Sequence, residues 1–194
     1  MSRDRRAVIL AALLFALPWP GRAQDDPALA QVMAGLASVR ERRSTFTEQK
    51  AIPEIDLPLP SEGTLHWMAP DRLEKHTTWP IDERIAVAQG RLAYERPDRG
   101  IRRDFALEEQ PEMGALVEAI RGTLAGDLAA LRRHYRIGFE AGRDGSWRMT
   151  LTPLSLRIRG AIQSIVVTGE GTEIRGVDTQ GHGGLTRMRI APAP

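Results

Sequence analysis

The chain has 194 residues, no cysteine, and 27 basic against 25 acidic side chains. Disulfides are therefore excluded as a staple, and no lipid-modified Cys can anchor the chain. The first 23 residues hold four arginines and one aspartate; without them the balance is 23 basic to 24 acidic, which leaves no net positive field to attract nucleic acid.

The N-terminus has the three-part pattern of a secretory signal peptide. "MSRDRR" is basic, residues 7–17 are an unbroken apolar run, and "GRA" ends in a small residue. The run is well short of the roughly 20 residues that span a bilayer. Residues 1–23 are thus expected to be a cleaved signal, and residues 24–194 a single exported domain. About 170 residues are enough for one core.

After Asp26, which is placed to cap a helix with Pro27 at its first position, Leu29, Val32, Met33, Leu36 and Val39 recur at helical spacing. The period then changes to two. "STFTEQKA" reads as a strand, and the proline-rich residues 52–63 read as a connection that cannot be a central strand. "TLHWM" and "RLEKHTTW" form a hairpin around Pro70-Asp71. "ERIAVAQ" turns at Gln89-Gly90 into "RLAYE", and "IRRDFAL" is another short strand.

One helical segment interrupts this meander. Pro111 opens it, and Met113, Leu116, Val117, Ile120 and Leu124 share a face. Gly126-Asp127 then ends it and caps a shorter helix carrying Leu128 and Leu131. Strands resume with "YRIGFEA", "SWRMTLTP", "GAIQSIVVT", "TEIRGVDTQ" and "LTRMRI". The architecture predicted is mainly β: a curved antiparallel half-barrel of about eleven strands. A sheet of that width must curl to cover its apolar face, and the helices are left to lid the concavity.

Signals for catalysis are sparse. His66, His76, His134 and His182 lie on different elements without metal-type spacing, and there is no nucleophile elbow, phosphate loop or thiol. No enzyme activity, metal or cofactor is expected. Glu108, Glu109 and Glu112 sit near a helix start, which favours negative charge in any protein. Arg99, Arg102 and Arg103 read as a solvated strand face before a ligand site, and "GHGG" reads as a loop. The apolar strand faces are either ordinary core or the wall of a cavity, since alternation looks the same in both.

The order of several short motifs narrows the choice. The initial helix is followed by "FTEQ" at Phe46 to Gln49, "GTLHWMAPDRL" at Gly63 to Leu73, "VAQGRL" at Val87 to Leu92 and "WRMTLTP" at Trp147 to Pro153. That order resembles the LolA-type periplasmic carriers of outer-membrane lipoproteins, in a divergent branch. The resemblance covers nearly the whole chain after the signal and implies a hydrophobic cavity between sheet and lid.

It also implies the partners. Cargo, a lipoprotein or another acylated molecule, comes from an inner-membrane release complex. It passes to an acceptor that is itself an outer-membrane lipoprotein. Membrane contact would be transient, and the carrier a periplasmic monomer of a Gram-negative bacterium. The alternatives are a carrier of another acyl lipid or pathway-specific hydrophobic product, and a non-enzymatic sensor or interaction module with a packed interior. One departure stands out: the better-known carriers have an Arg before the hairpin Pro, latching the lid, and this chain has Ala69.

Each acyl CH₂ kept from water is worth roughly 0.8 kcal/mol, so a chain of about 16 carbons resists entering water by on the order of 10 kcal/mol. A carrier needs only a matching apolar surface. On the sheet side Leu65, Trp67, Leu73, Val87, Met149 and Leu151 are expected to supply it, with Phe46 and Leu92. Leu116, Val117 and Ile120 would face them from the lid. A register error of one residue would reverse each strand's assignment.

Overall fold

A computed structural model describes residues 26–53 and 57–194. The signal segment and part of the proline-rich connection lie outside the described residues. Helix α1 (Pro27–Ser38) starts where the cap predicts, with the Asp26 carboxylate accepting from the Ala28 N–H. Six strands follow: β1 (Glu41–Ala51), β2 (Leu59–Met68), β3 (Arg72–Trp79), β4 (Glu83–Ala88), β5 (Arg91–Arg96) and β6 (Ile101–Ala106). Helices α2 (Pro111–Leu124) and α3 (Leu128–His134) form the insert. The chain closes with β7 (Tyr135–Ala141), β8 (Ser146–Pro153), a short helix α4 (Leu156–Ala161), β9 (Ile162–Glu170), β10 (Glu173–Gly181) and β11 (Gly184–Pro192).

All eleven strands make one open antiparallel sheet in the order β6-β5-β4-β3-β2-β1-β11-β10-β9-β8-β7. The first and last strands of the chain pair at its centre, Phe46 opposite Ile190. The chain leaves the sheet at one edge, β6, and re-enters it at the other, β7. The helical insert between them must therefore cross the whole width, and it does so over the concave apolar face. Topology alone puts a lid there.

Two details differ from the sequence reading. Leu59 to Gly63 belong to β2, a strand with neighbours on both sides, although Pro60 lies within it. Pairing with β3 ends at Glu62–Trp79, so the stretch holding Pro60 faces only β1 and is locally an edge, where a missing N–H is tolerated. Helix α4, between β8 and β9, had no sequence signal: at six residues it is too short to show a period. Of the basic segment at 99–103, Arg99 ends a 3-10 turn (Pro97–Arg99), and Arg102 and Arg103 fall on edge strand β6. Arg102 and Arg103 are exposed there, the usual way of guarding a sheet edge.

The packed core lies on one half of the sheet. Tyr135, Trp147, Met149, Leu151, Ile165 and Val167 are buried together against Leu29, Met33 and Leu36 of α1, Ala115 and Ala119 of α2, and Leu131 of α3. Helix α2 turns its smallest residues to this core, Ala115, Ala119 and Gly122; a Cβ at Gly122 would come within 2.8 Å of Leu131. Gly126 ends the helix in the left-handed region (φ 65°), where a Cβ would strike the Met33 carbonyl of α1.

Candidate functional site

A cavity of about 360 Å³ lies between the concave face and α2. Its sheet wall is built by alternation. Trp67 pairs with Leu73, Leu73 with Val87 and Leu65 with Lys75, so these side chains share one face across β2, β3 and β4. On the far side of β1, Met188, Val177 and Val167 are in register across β11, β10 and β9 and continue the wall. Leu116, Val117, Ile120 and Leu124 close it from α2. These four are only partly buried, whereas the small residues on the opposite side of the helix are sealed into the core.

Seven of the residues expected at the site line this one space: Leu65, Trp67, Leu73, Val87, Leu116, Val117 and Ile120. Four do not. Met149 and Leu151 face the same side of the sheet but are 1% and 0% exposed, sealed under the helices in the packed half. Leu92 pairs with Val87 on β5 and is buried one strand beyond the cavity. Phe46 is 2% exposed and borders a separate, more open depression beside Gly63, with the Lys75 ammonium 4.8 Å from its ring centre. Strand alternation identifies the face and says nothing of what covers it.

Other lining residues were missed. Ile85, Met188 and Ile190 follow plain alternation and were legible in the sequence. Ile174 and Val177 are three apart and still share the face, because a β-bulge between Ile174 and Gly176 resets the alternation. No sequence pattern announces that bulge.

The wall also carries charge. Glu48 on β1 and Lys75 on β3 reach toward each other across β2, with Lys75 Nζ 3.0 and 2.9 Å from the two Glu48 carboxylate oxygens. Their side chains are only 17% and 24% exposed. Arg42 donates to the Thr172 carbonyl at 2.5 Å and pairs with Glu173 at 3.1 Å, tying the start of β1 to the β9–β10 turn. The Trp67 indole N–H donates to the Val39 carbonyl, which fixes the ring at the cavity's inner end.

The lid is held at the packed half. Tyr135 on β7 donates its hydroxyl to the Ala115 carbonyl of α2 at 2.6 Å, and its burial raises the phenol's pKa. Glu112, at the start of α2, accepts from Arg157 of α4 at 3.0 Å; a backbone hydrogen bond first, then Arg157, lower its pKa. Ala69, where the better-known carriers place their latch, does not line the cavity; its N–H donates to the Arg40 carbonyl at the sheet's edge of the hairpin turn. Of the histidines, His66 pairs with Glu41 and His76 with Asp82, both outside the packed interior. Among the described residues no three metal-ligating side chains stand together, and no helix is long and apolar enough to cross a membrane.

Residues 21–193 match the family described as outer membrane lipoprotein carrier protein, LolA-like. No curated protein matches the sequence. Solved structures of similar fold include a LolA superfamily protein from Nitrosomonas europaea, at 10% identity and a TM-score of 0.41, over 82% of this chain and 90% of that one. The lipoprotein LppX of Mycobacterium tuberculosis is similar at 10% identity and a TM-score of 0.44, over 86% of this chain and 94% of the other. A lipoprotein-sorting protein domain from Vibrio parahaemolyticus is similar at 9% identity and a TM-score of 0.42, over 84% and 88%.

Proposed function

Because this chain belongs to the family of LolA-like outer membrane lipoprotein carriers, we propose that it shields acyl chains from water in the cavity beneath α2 and delivers them toward the outer membrane. The observation that carries this reading is an apolar space left open between a lid helix and half of a sheet whose other half is packed solid. A protein that needed only stability would fill it, since interiors close to crystal-like density. The chain acts as a carrier and not an enzyme. Residues 24–194 form one exported domain, working in the periplasm after loss of residues 1–23.

Transfer needs no cofactor. An acyl chain leaves a membrane slowly because its methylenes resist water, and a cavity of matching surface lowers that cost. Leu65, Leu73, Leu116, Val117 and Ile120 would contact the cargo, with Trp67 and Val87 behind them. An inner-membrane release complex as donor and an outer-membrane lipoprotein as acceptor complete the scheme.

The cavity volume favours a second cargo. At about 360 Å³ the space is at the small end of the range usual for ligand pockets, about 300–1,000 Å³, so it suits one chain better than the several chains of a mature lipoprotein. Mass spectrometry of an organic and peptide extract decides between them, using protein purified without detergent from the cells that make it. Acylated lipoprotein in near-stoichiometric amount supports the first cargo, and a free single-chain lipid the second. An empty extract, together with failure to bind a fluorescent fatty-acid probe, overturns the carrier reading.

A further inference from the structure

The Glu48–Lys75 pair is out of place in a cavity meant for hydrocarbon alone. Both side chains are at least three-quarters covered, and both line the space. Removing two charges from water is costly, and an apolar pair of the same size is commonly as stable or more so. Holding β1 to β3 does not require them either, because β2 already bonds to both from Glu62 to Met68. An inward-facing ion pair that only held the wall together would be a poor use of the position.

The chemistry left over on the pair defines what it can bind. Lys75 directs two N–H bonds at the Glu48 carboxylate and keeps a third donor, while Glu48 also accepts from the Ser61 hydroxyl at 3.4 Å and keeps acceptor capacity beyond these bonds. The Phe46 ring under the ammonium holds it in place. The pair has no net charge, and the other ionisable groups on the wall have partners of their own: Arg42 with Glu173, Glu74 with Arg72 and His66 with Glu41. An anionic head would meet the Glu48 carboxylate within a few ångströms of Lys75, and a cationic head would meet Lys75. Either would have to break the pair. An uncharged head that both donates and accepts hydrogen bonds fits it unbroken.

Resting on the carrier reading above, we propose that Glu48 and Lys75 are the head-group station of the cavity. They select a single-chain amphiphile with an uncharged hydroxyl-bearing or amide-bearing head. The head sits at the β1–β3 pair, and the tail runs between Leu65, Leu73 and Ile120.

The test is displacement of a fluorescent naphthylamine probe from the purified protein by three twelve-carbon ligands below their micellar concentrations. These are monolauroylglycerol, sodium laurate and dodecyltrimethylammonium. The neutral ligand is expected to bind about tenfold tighter than either charged one. In Glu48→Gln the unpaired ammonium should turn the preference to laurate, and in Lys75→Met the unpaired carboxylate should turn it to the cation. The double variant should bind all three within a factor of about three. Thermal melts of each variant report folding, and a merely structural pair would change the melts without reordering the heads. Equal binding of the three heads by the unaltered protein overturns the head-group station and leaves the carrier standing. No displacement by any of them overturns both.

Discussion

The two halves of the sheet carry the same apolar alternation and have opposite fates. On β8 and β9, Met149, Leu151 and Ile165 are 1% exposed or less. On β2, β3 and β4, Leu65, Leu73 and Ile85 remain only partly covered. The difference is supply of cover. Helices α1 and α3 pack on β7, α4 packs on β8, β9 and β10, and α2 rests its small-residue face on β9. What spans the other half is the large-residue side of α2, standing off the sheet. On the carrier reading, the site comes from withholding helices from one half of a surface that could have been core.

The largest effect that would test this contrast is Leu151→Ala. A fully buried leucine in the packed half should cost about 2–5 kcal/mol, read by chemical denaturation. If Leu151→Ala proves nearly neutral, the two halves are not packed differently. Next is Tyr135→Phe, which removes the hydroxyl's bond to the Ala115 carbonyl at 2.6 Å while that carbonyl keeps its bond within α2. A loss of about 0.5–1.5 kcal/mol is expected, with faster amide exchange along α2 and little change in β2–β4.

Asp127→Ala should cost about 1 kcal/mol, because Asp127 caps α3 by accepting from the Ala130 N–H at 2.8 Å. That backbone bond, and then Arg121, lower the Asp127 pKa. A carboxyl with a folded pKa below its unfolded value stabilises above the ordinary carboxylate range and loses that contribution as pH falls through the folded pKa. Melting temperatures taken down a pH series should therefore drop less steeply for Asp127→Asn than for the unaltered chain. The smallest effect on stability belongs to Leu73→Ala in the open half, under about 1 kcal/mol, since the side chain is already partly uncovered. Its signature is elsewhere, in a weaker grip on the fatty-acid probe. If Leu73→Ala destabilises as much as Leu151→Ala, the cavity is core and the contrast fails.

Much of the fold was legible before the structure. The Asp26-Pro27 cap, the Gln89-Gly90 turn (φ 52° and 72°) and the Gly126-Asp127 break each stand where local chemistry requires them. So do the six strands before the insert and the five after it. Pro60 misled because the rule against proline in central strands applies residue by residue, and β2 is an edge only at that end.

The candidate site was legible by face and not by location. Period-two alternation put Met149 and Leu73 on one side of the sheet, and nothing local separates them, because burial depends on which helix lies above. The Ile174–Gly176 bulge and the meeting of Glu48 with Lys75, 27 residues apart, were equally beyond reach.

By itself, then, the sequence determined the elements, their apolar faces and the turns between them, since each is set by residues within a few positions of one another. The tertiary structure alone decided which apolar face was sealed, which was left open and where charge entered the wall. Those outcomes depend on pairing β1 with β11 and on a lid forced to cross from one edge to the other. They are contacts between segments far apart in the chain, and no local pattern encodes them.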